Sequence, residues 1–192
     1  MPKKNIENKI LNYLSKNLSQ QRYDHTLSVC KLALKLAENY KEDIYNVRIA
    51  ALLHDCAKGM SLKDMCKYVQ RNKLKIKHYN FLTKHAPQVL HSFISEDISK
   101  KRFAIKNRQI LKAIKYHTVA RTAMSKCEKI IFVADCLSED RKNKNIRLNK
   151  TVMFEDLDKV FILVLKNKIS YVLSKFQPLY PDINNVWNYY NK

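Results

Sequence analysis

The chain has 192 residues, of which 46% are hydrophobic, and this length and composition suit one folded domain with a single core. One glycine and four prolines are too few for an architecture built on tight hairpins, so we expect an all-α protein. The formal net charge of +20 suggests nucleic-acid binding. However, the basic residues are spread from Lys3 to Lys192, which favours a general attraction of anions over a dedicated nucleic-acid surface.

Apolar residues recur at intervals of three and four along most of the chain, which is the pattern of amphipathic helices. The pattern predicts helices over 3–18, 22–40, 44–57, 61–73, 87–99, 107–120, 125–138, 154–176 and 182–190. Lysine-rich polar connections are predicted at 73–86 and 139–152, and neither resembles a flexible Ser/Gly linker. We therefore expect no domain boundary.

Four of these helices begin at residues that favour helix starts. Asp43, Ser61 and Asn107 are suitable N-caps because their side chains can accept backbone N–H groups of the first turn. Ser125 is followed three residues later by Glu128, which predicts a capping box before the apolar run KIIFVADCL.

The sequence contains no signal for a membrane or for export. No uncharged apolar run approaches the ~20 residues that span a bilayer, and residues 1–20 lack the apolar centre of a signal peptide. The five cysteines form no C-x-x-C pair and are odd in number, which favours reduced, packed thiols over disulfides or zinc ligands. We expect a cytoplasmic protein.

Several histidines and aspartates stand at the ends of apolar helical segments, where a metal ion could gather them. The candidates are His25, His54, Asp55, His91, His117 and Asp135. Asp135 lies in IIFVADCL, and an unpaired buried carboxylate there would cost several kcal/mol. Any one histidine taken alone is better explained as a hydrogen-bonded core residue, but six candidates together favour a metal site.

The order of His25, His54-Asp55 and Asp135 resembles the HD superfamily of metal-dependent phosphohydrolases, in particular the YqeK-type family. The resemblance covers about residues 20 to 185. It is carried by the segments RYDHTLSV, AALLHDCAKG, PQVLHSF, ILKAIKYHT and KIIFVADCLSEDR and by the late helix. The dipeptide His-Asp is weak evidence by itself, whereas these segments in this order are specific.

The resemblance implies an all-α HD-domain helical bundle that forms a single domain over 1–192, with a core at about 20–140 and C-terminal helices at 154–190 packed on it. It also implies a symmetrical diadenosine-tetraphosphate hydrolase that releases two ADP. Such enzymes carry two metal ions, for which iron is favoured and manganese is the second choice. The partner implied is a dinucleoside polyphosphate substrate.

By the same resemblance, each candidate receives a role at the metal pair. The first ion would be held by His25, His54, Asp55 and Asp135. Asp55 would bridge to a second ion completed by His91 and His117. In catalysis Asp55 would be an electrostatic scaffold and not a nucleophile.

Three basic residues are candidates for contact with substrate phosphates. Lys58 follows His54 by one turn, and we expect it to offset charge in the transition state, with a solvated helix-end lysine as the alternative. Arg121 and Arg141 follow the helices of His117 and Asp135, and either could instead form a surface salt bridge.

The chain departs from the family pattern at two points, and two histidines fall outside it. Ser92 replaces a common glycine after His91, and CLSEDR lacks the common proline before the arginine. His78 and His85 are predicted to be solvated loop residues.

Two alternatives to the tetraphosphatase hypothesis stay open at this point. Metal ligands do not select the base, so a (deoxy)nucleotide phosphohydrolase of another substrate range fits the same residues. A basic nucleic-acid-associated protein with a structural HD core belongs to a different class, but no RNA-binding signature supports it. We expect no specific nucleic acid and no membrane as partners, and a homodimer is compatible with the sequence.

Overall fold

The computed structural model describes residues 3–140 and 150–191, with side chains for 5–140 and 153–191. These residues form helices and no strand, which confirms the all-α prediction. The helices are α1 (Lys3–Asn17), α2 (Gln20–Asn39), α3 (Ile44–Leu53), α4 (Leu62–Arg71), α5 (Tyr79–His85), α6 (Leu90–Phe103), α7 (Arg108–Tyr116), α8 (Lys126–Leu137), α9 (Lys150–Glu155), α10 (Leu157–Ser174) and α11 (Ile183–Tyr190). Among them, none has both the length and the apolar composition that crossing a bilayer requires.

The predicted N-caps are confirmed. The side chains of Asp43, Ser61 and Asn107 each accept a backbone N–H from the first turn of α3, α4 and α7. At the start of α8, Ser125 and Glu128 form both bonds of the capping box. These bonds satisfy N–H groups that a helix leaves without partners, and so they fix where each helix begins.

Helix α3 lies at the centre of the fold. It packs against α1, α2, α6, α7 and α8, and it is buried almost all round. Only a helix that is apolar on every side can occupy such a position, and the segment IAALL meets this requirement. The C-terminal helix α10 packs on α8 through Phe161, whose ring centroid lies 5.1 Å from that of Phe132. The assignment of all 192 residues to one domain stays a prediction.

Helix α3 ends at Leu53, directly before the His54-Asp55 pair, and not at 57 as predicted. The chain then continues in tight turns, in which the N–H of Lys58 donates to the carbonyl oxygen of Asp55 at 2.9 Å. The following residue, Gly59, lies against α1, where an added Cβ would approach Asn17 O to 2.2 Å. The only glycine of the chain therefore permits the close approach that sets the HD pair at the end of a buried helix.

The prediction of an irregular connection at 73–86 was wrong in part, because this segment contains α5. Leu82 of α5 is fully buried and ties the short helix to the core. The two histidines predicted to be solvated are half-buried instead. His78 lies with Nε2 3.2 Å from Asp182 Oδ1, and the ring centroid of His85 lies 5.2 Å from that of Phe81. Tertiary packing thus overrode the polar, lysine-rich local sequence.

Candidate metal centre

The six side chains singled out in the sequence lie together in the interior of the fold. They come from α2, the end of α3, α6, the end of α7 and α8. Asp55 lies between two groups of them, and its two carboxylate oxygens face different groups. We call His25, His54 and Asp135 the outer group and His91 and His117 the inner group.

The inner group surrounds one oxygen of Asp55. Asp55 Oδ1 lies 2.8 Å from His91 Nε2 and 3.3 Å from His117 Nε2, and these two nitrogens are 3.1 Å apart. All three side chains are buried. Their ligand atoms are close enough to one another to hold one metal ion.

The outer group is arranged around the other side of the same carboxylate. Asp55 Oδ2 lies 3.8 Å from His54 Nε2. Asp135 Oδ1 lies 3.9 Å from His54 Nε2 and 3.2 Å from His25 Nε2. His25, His54 and Asp55 form a second set with ligand atoms close enough for one ion.

Three of the histidines use one ring nitrogen to bind the backbone. His54 Nδ1 lies 2.6 Å from Ala51 O, His117 Nδ1 lies 2.7 Å from Ile114 O, and His91 Nδ1 contacts Gln88 O. A carbonyl oxygen only accepts, so each Nδ1 carries the proton and donates it. Each neutral ring therefore presents the lone pair of Nε2 toward Asp55.

The Nε2 atoms of His91 and His117 face each other at 3.1 Å. With the proton of each ring on Nδ1, neither Nε2 has a proton to donate to the other. The side-chain atoms His54 Nε2 and Asp55 Oδ1 are buried and have no hydrogen-bond partner among the described residues. Asp55 Oδ1 lies 2.8 Å from His91 Nε2, but with the proton of that ring on Nδ1 the nitrogen has none to donate to the carboxylate. Such unpaired buried atoms are costly unless a cation binds them, so the cluster is suited to a metal ion.

The protonation states of the cluster also suit metal binding. Burial lowers the pKa of His54 to about 4, and burial likewise lowers the pKa of His117. For Asp55, burial alone would raise the pKa, but the neighbouring His54 and His91 outweigh it and hold the pKa well below its ordinary value. At neutral pH His54 and His117 are therefore neutral imidazoles and Asp55 is a carboxylate, which are the forms that bind metals.

Two lysines lie at the edges of the cluster. Lys58 Nζ is 3.7 Å from Asp55 Oδ1 and 3.2 Å from His91 Nε2, beside the inner group. Lys168 Nζ of α10 is 3.8 Å from Asp135 Oδ2 and donates to His117 O at 3.2 Å. Each lysine side chain is roughly a quarter exposed, so its ammonium group is within reach of an anion from solvent.

A family model for the HD domain matches residues 22–140, which contain all six clustered side chains. The chain belongs to the HD domain family. It is also 30% identical to the symmetrical bis(5'-nucleosyl)-tetraphosphatase of Bacillus subtilis, with 92% of each chain covered. It is 32% identical to the protein of the same name from Staphylococcus aureus, covering 97% of this chain and 95% of that one. The resemblance stated from the motifs is thereby confirmed.

A solved structure gives the same family. The chain superposes with a TM-score of 0.88 on a predicted HD superfamily hydrolase involved in NAD metabolism from Clostridium acetobutylicum, at 32% identity and with 96% of each chain covered. HD-domain hydrolases bind divalent metal ions, and the His/Asp cluster described above could hold them.

Arg121 and Arg141 were both predicted to contact substrate phosphates, and the structure describes only Arg121. Arg121 forms a two-pronged salt bridge with Glu128, with Nε and Nη2 each 2.7 Å from a carboxylate oxygen. Glu128 is buried, so this pairing favours the salt-bridge alternative for Arg121. Arg141 lies outside the described residues. Ser92 donates its hydroxyl to Val89 O at 2.9 Å.

Sequence reasoning missed Lys168 at this HD site, although the sequence contains a signal for it. On α10 the buried residues Phe161, Val164 and Leu165 form the apolar stripe that packs inward. Lys168 continues that stripe, because it follows Leu165, Val164 and Phe161 by three, four and seven residues. A lysine on the buried face of a helix requires a partner, and here it lies beside a carboxylate of the cluster.

Proposed function

We propose that this HD-domain chain is a symmetrical bis(5'-nucleosyl)-tetraphosphatase, which hydrolyses diadenosine tetraphosphate to two ADP. The observation that carries the proposal is the convergence of imidazole Nε2 atoms and two carboxylates, with His54 Nε2 and Asp55 Oδ1 unpaired in the interior. The names of the relatives from Bacillus subtilis and Staphylococcus aureus support the substrate.

The proposal assigns the six side chains to two metal ions. The outer ion is held by His25, His54, Asp55 and Asp135, and the inner ion by Asp55, His91 and His117. The two oxygens of Asp55 face different groups, which supports its role as a bridge. A mixed set of imidazoles and carboxylates suits iron, and manganese next, better than a metal that selects thiolates.

When bound, metal ions activate water as a nucleophile at neutral pH and polarise phosphoryl oxygens. The chain's own residues supply the rest of the chemistry. Asp55 is an electrostatic scaffold because its pKa lies well below neutrality and its oxygens already face ligand nitrogens on both sides. Burial of the cluster keeps bulk water away, which strengthens every charge interaction within it.

The two lysines are the proposed contacts for substrate phosphates. Lys58 lies beside the inner group and Lys168 beside the outer group, so an extended polyphosphate placed across the centre meets one ammonium group on each side. Positive charge at these positions offsets the charge that spreads over phosphoryl oxygens in the transition state. A symmetrical cut leaves an ADP-sized product on each side, and each product then has a lysine near its new charge.

For the working context we propose a cytoplasmic enzyme without a specific nucleic-acid partner. The formal charge of +20 then serves the attraction of a small polyanion. A homodimer is part of the same proposal.

The test is a single turnover of diadenosine tetraphosphate in oxygen-18 water by the metal-loaded enzyme. We expect only ADP, with one labelled oxygen on the terminal phosphate of one of the two molecules. ATP and AMP as first products would contradict symmetrical cleavage. No turnover, together with hydrolysis of smaller nucleotides in the same assay, would favour the (deoxy)nucleotide phosphohydrolase alternative.

A further inference from the structure

One histidine of the cluster is oriented differently from the others. His54, His91 and His117 each donate Nδ1–H to the carbonyl oxygen three residues earlier. His25 instead has its Nδ1 2.6 Å from a side-chain oxygen, Oδ2 of Asp140, which is 115 positions away in sequence. The difference follows from where each histidine lies on its helix.

At helix ends, backbone carbonyls are available to an imidazole. Ala51 and Ile114 belong to the last turns of α3 and α7, where carbonyl oxygens lack a partner within the helix, and Gln88 lies in the short turn before α6. A histidine that follows by three residues can therefore satisfy such a carbonyl and fix its own ring at the same time.

The corresponding carbonyl for His25 is already in use. His25 lies within α2, where the oxygen of Arg22 accepts the N–H of the helix four residues on. The hydroxyl of Thr26 also donates to Arg22 O, at 3.0 Å, and Thr26 is fully buried. Both lone pairs of that oxygen are then engaged, so the His25 ring needs an acceptor from elsewhere.

We infer that Asp140 is a positioning residue of the candidate metal centre. Its carboxylate fixes the ring of His25 so that Nε2 faces Asp135 and the proposed outer ion. The carboxylate accepts Nδ1–H and thereby sets both the tautomer and the rotation of the imidazole, as carboxylates do for many metal-bound histidines. Nε2 then lies 3.2 Å from Asp135 Oδ1, at the position of a ligand atom. The inference rests on the proposed function in one respect, namely that His25 holds a metal ion.

The test uses zinc as a diamagnetic probe and compares three variants. Asp140→Ala removes the acceptor, Asp140→Asn keeps an acceptor oxygen without the charge, and Glu139→Ala is the matched control. Glu139 is the neighbouring carboxylate, and it pairs at 3.3 Å with Lys31 at the exposed surface. Zinc affinity is measured by competition with a chelator, and the imidazole N–H protons are observed by NMR in the metal-free and zinc-loaded chains.

We expect Asp140→Ala to weaken one of two bound zinc ions about 10- to 100-fold and to leave the other unchanged. The hydrogen-bonded Nδ1–H signal of His25 is expected to disappear in Asp140→Ala, to persist in Asp140→Asn and to be unaffected in Glu139→Ala. Rescue by asparagine separates positioning from a loss of folding.

Unchanged zinc affinity in Asp140→Ala, or a His25 signal that persists in it, would overturn the inference. The metal-free NMR comparison tests the contact itself even if the wild-type chain does not hydrolyse diadenosine tetraphosphate. A failure of the proposed function is therefore distinguishable from a failure of the role of Asp140.

Discussion

The inner and outer groups of the candidate metal centre differ in how the ring of His25 is held. His54 of the outer group is fixed by a backbone carbonyl, like both histidines of the inner group. His91 and His117 are buried, and the main chain at helix ends fixes both rings. In the outer group, His25 and Asp135 reach the solvent side with 12% and 10% of their side chains exposed, and a side chain, Asp140, orients His25. A ring held by the main chain keeps its position when neighbouring side chains change, whereas a ring held by a carboxylate depends on one residue.

Asp55 joins the two groups, so its loss is expected to have the largest effect on the centre. Asp55→Ala should lower activity on the order of 1000-fold or more, about 4 kcal/mol in transition-state stabilisation. It should also remove much of the metal, because Asp55 is the proposed ligand of both ions. Metal analysis after anaerobic purification checks this expectation, together with the rate of diadenosine-tetraphosphate hydrolysis. Full metal occupancy in Asp55→Ala would contradict the bridging role and would make the two groups independent.

Acid pH is expected to act on the buried histidines and to produce the next largest effect. Burial lowers the pKa of His54 from 6.5 to about 4 in the folded chain. Between these values the unfolded chain binds a proton that the folded chain does not, so the free energy of unfolding falls as pH falls. The contribution of His54 is complete above about pH 6.5, and about 3 kcal/mol is lost by pH 4. The lowered pKa of His117 acts in the same direction.

Urea unfolding of the metal-free chain at several pH values from 7.5 to 4.5 measures this dependence. In His54→Gln, which cannot titrate there, the slope of stability against pH should be shallower. His85→Gln is the control, because His85 is half-buried on α5 and lies outside the cluster. An equal slope in wild type and His54→Gln would show that His54 does not contribute to acid sensitivity. Asp55 contributes little to this slope, because its lowered pKa changes the free energy of unfolding only below about pH 4, outside the measured range.

Much of the fold was predictable because its signals are local. The N-caps of α3, α4, α7 and α8 are each set by one side chain and the next three residues, and all four were found. Helix α5 was missed because its local sequence is polar and lysine-rich, whereas Leu82 is fully buried in the hydrophobic core. The break between α9 and α10 was missed as well. There, Asp156 accepts the N–H groups of Asp158 and Lys159 and starts a new helix inside a continuous apolar pattern.

The six clustered residues of the site could be predicted from the sequence for a different reason. A charged or ionisable residue within an apolar helical segment stands out in the sequence, and motif order then indicates which of them meet. The orientation of their side chains could not be predicted in this way. Asp140 and Lys168 reach the cluster from a turn after α8 and from α10, and no local pattern predicts which distant side chain either one contacts.

Lys58 beside the inner group and Lys168 beside the outer group allow the two groups to be compared directly. Single substitutions of these lysines are expected to have the smallest effects on activity. Replacing Lys168 by Gln removes one ammonium group beside Asp135 and is expected to lower kcat/KM about tenfold, or about 1.4 kcal/mol. Lys58→Gln should have a similar effect from the inner side. The metal content of both variants should equal that of the wild type, since neither amine is a proposed ligand.

The double variant decides whether each lysine serves its own half of the substrate. Independent contacts multiply, so Lys58→Gln combined with Lys168→Gln should lower kcat/KM about 100-fold. Lys166→Gln is the matched control on α10, because Lys166 is exposed two positions before Lys168 and faces away from the buried stripe. If the double variant is no worse than either single variant, both lysines act on the same phosphate. The assignment of one lysine to each group would then be wrong, while the metal assignment would stand on its own evidence.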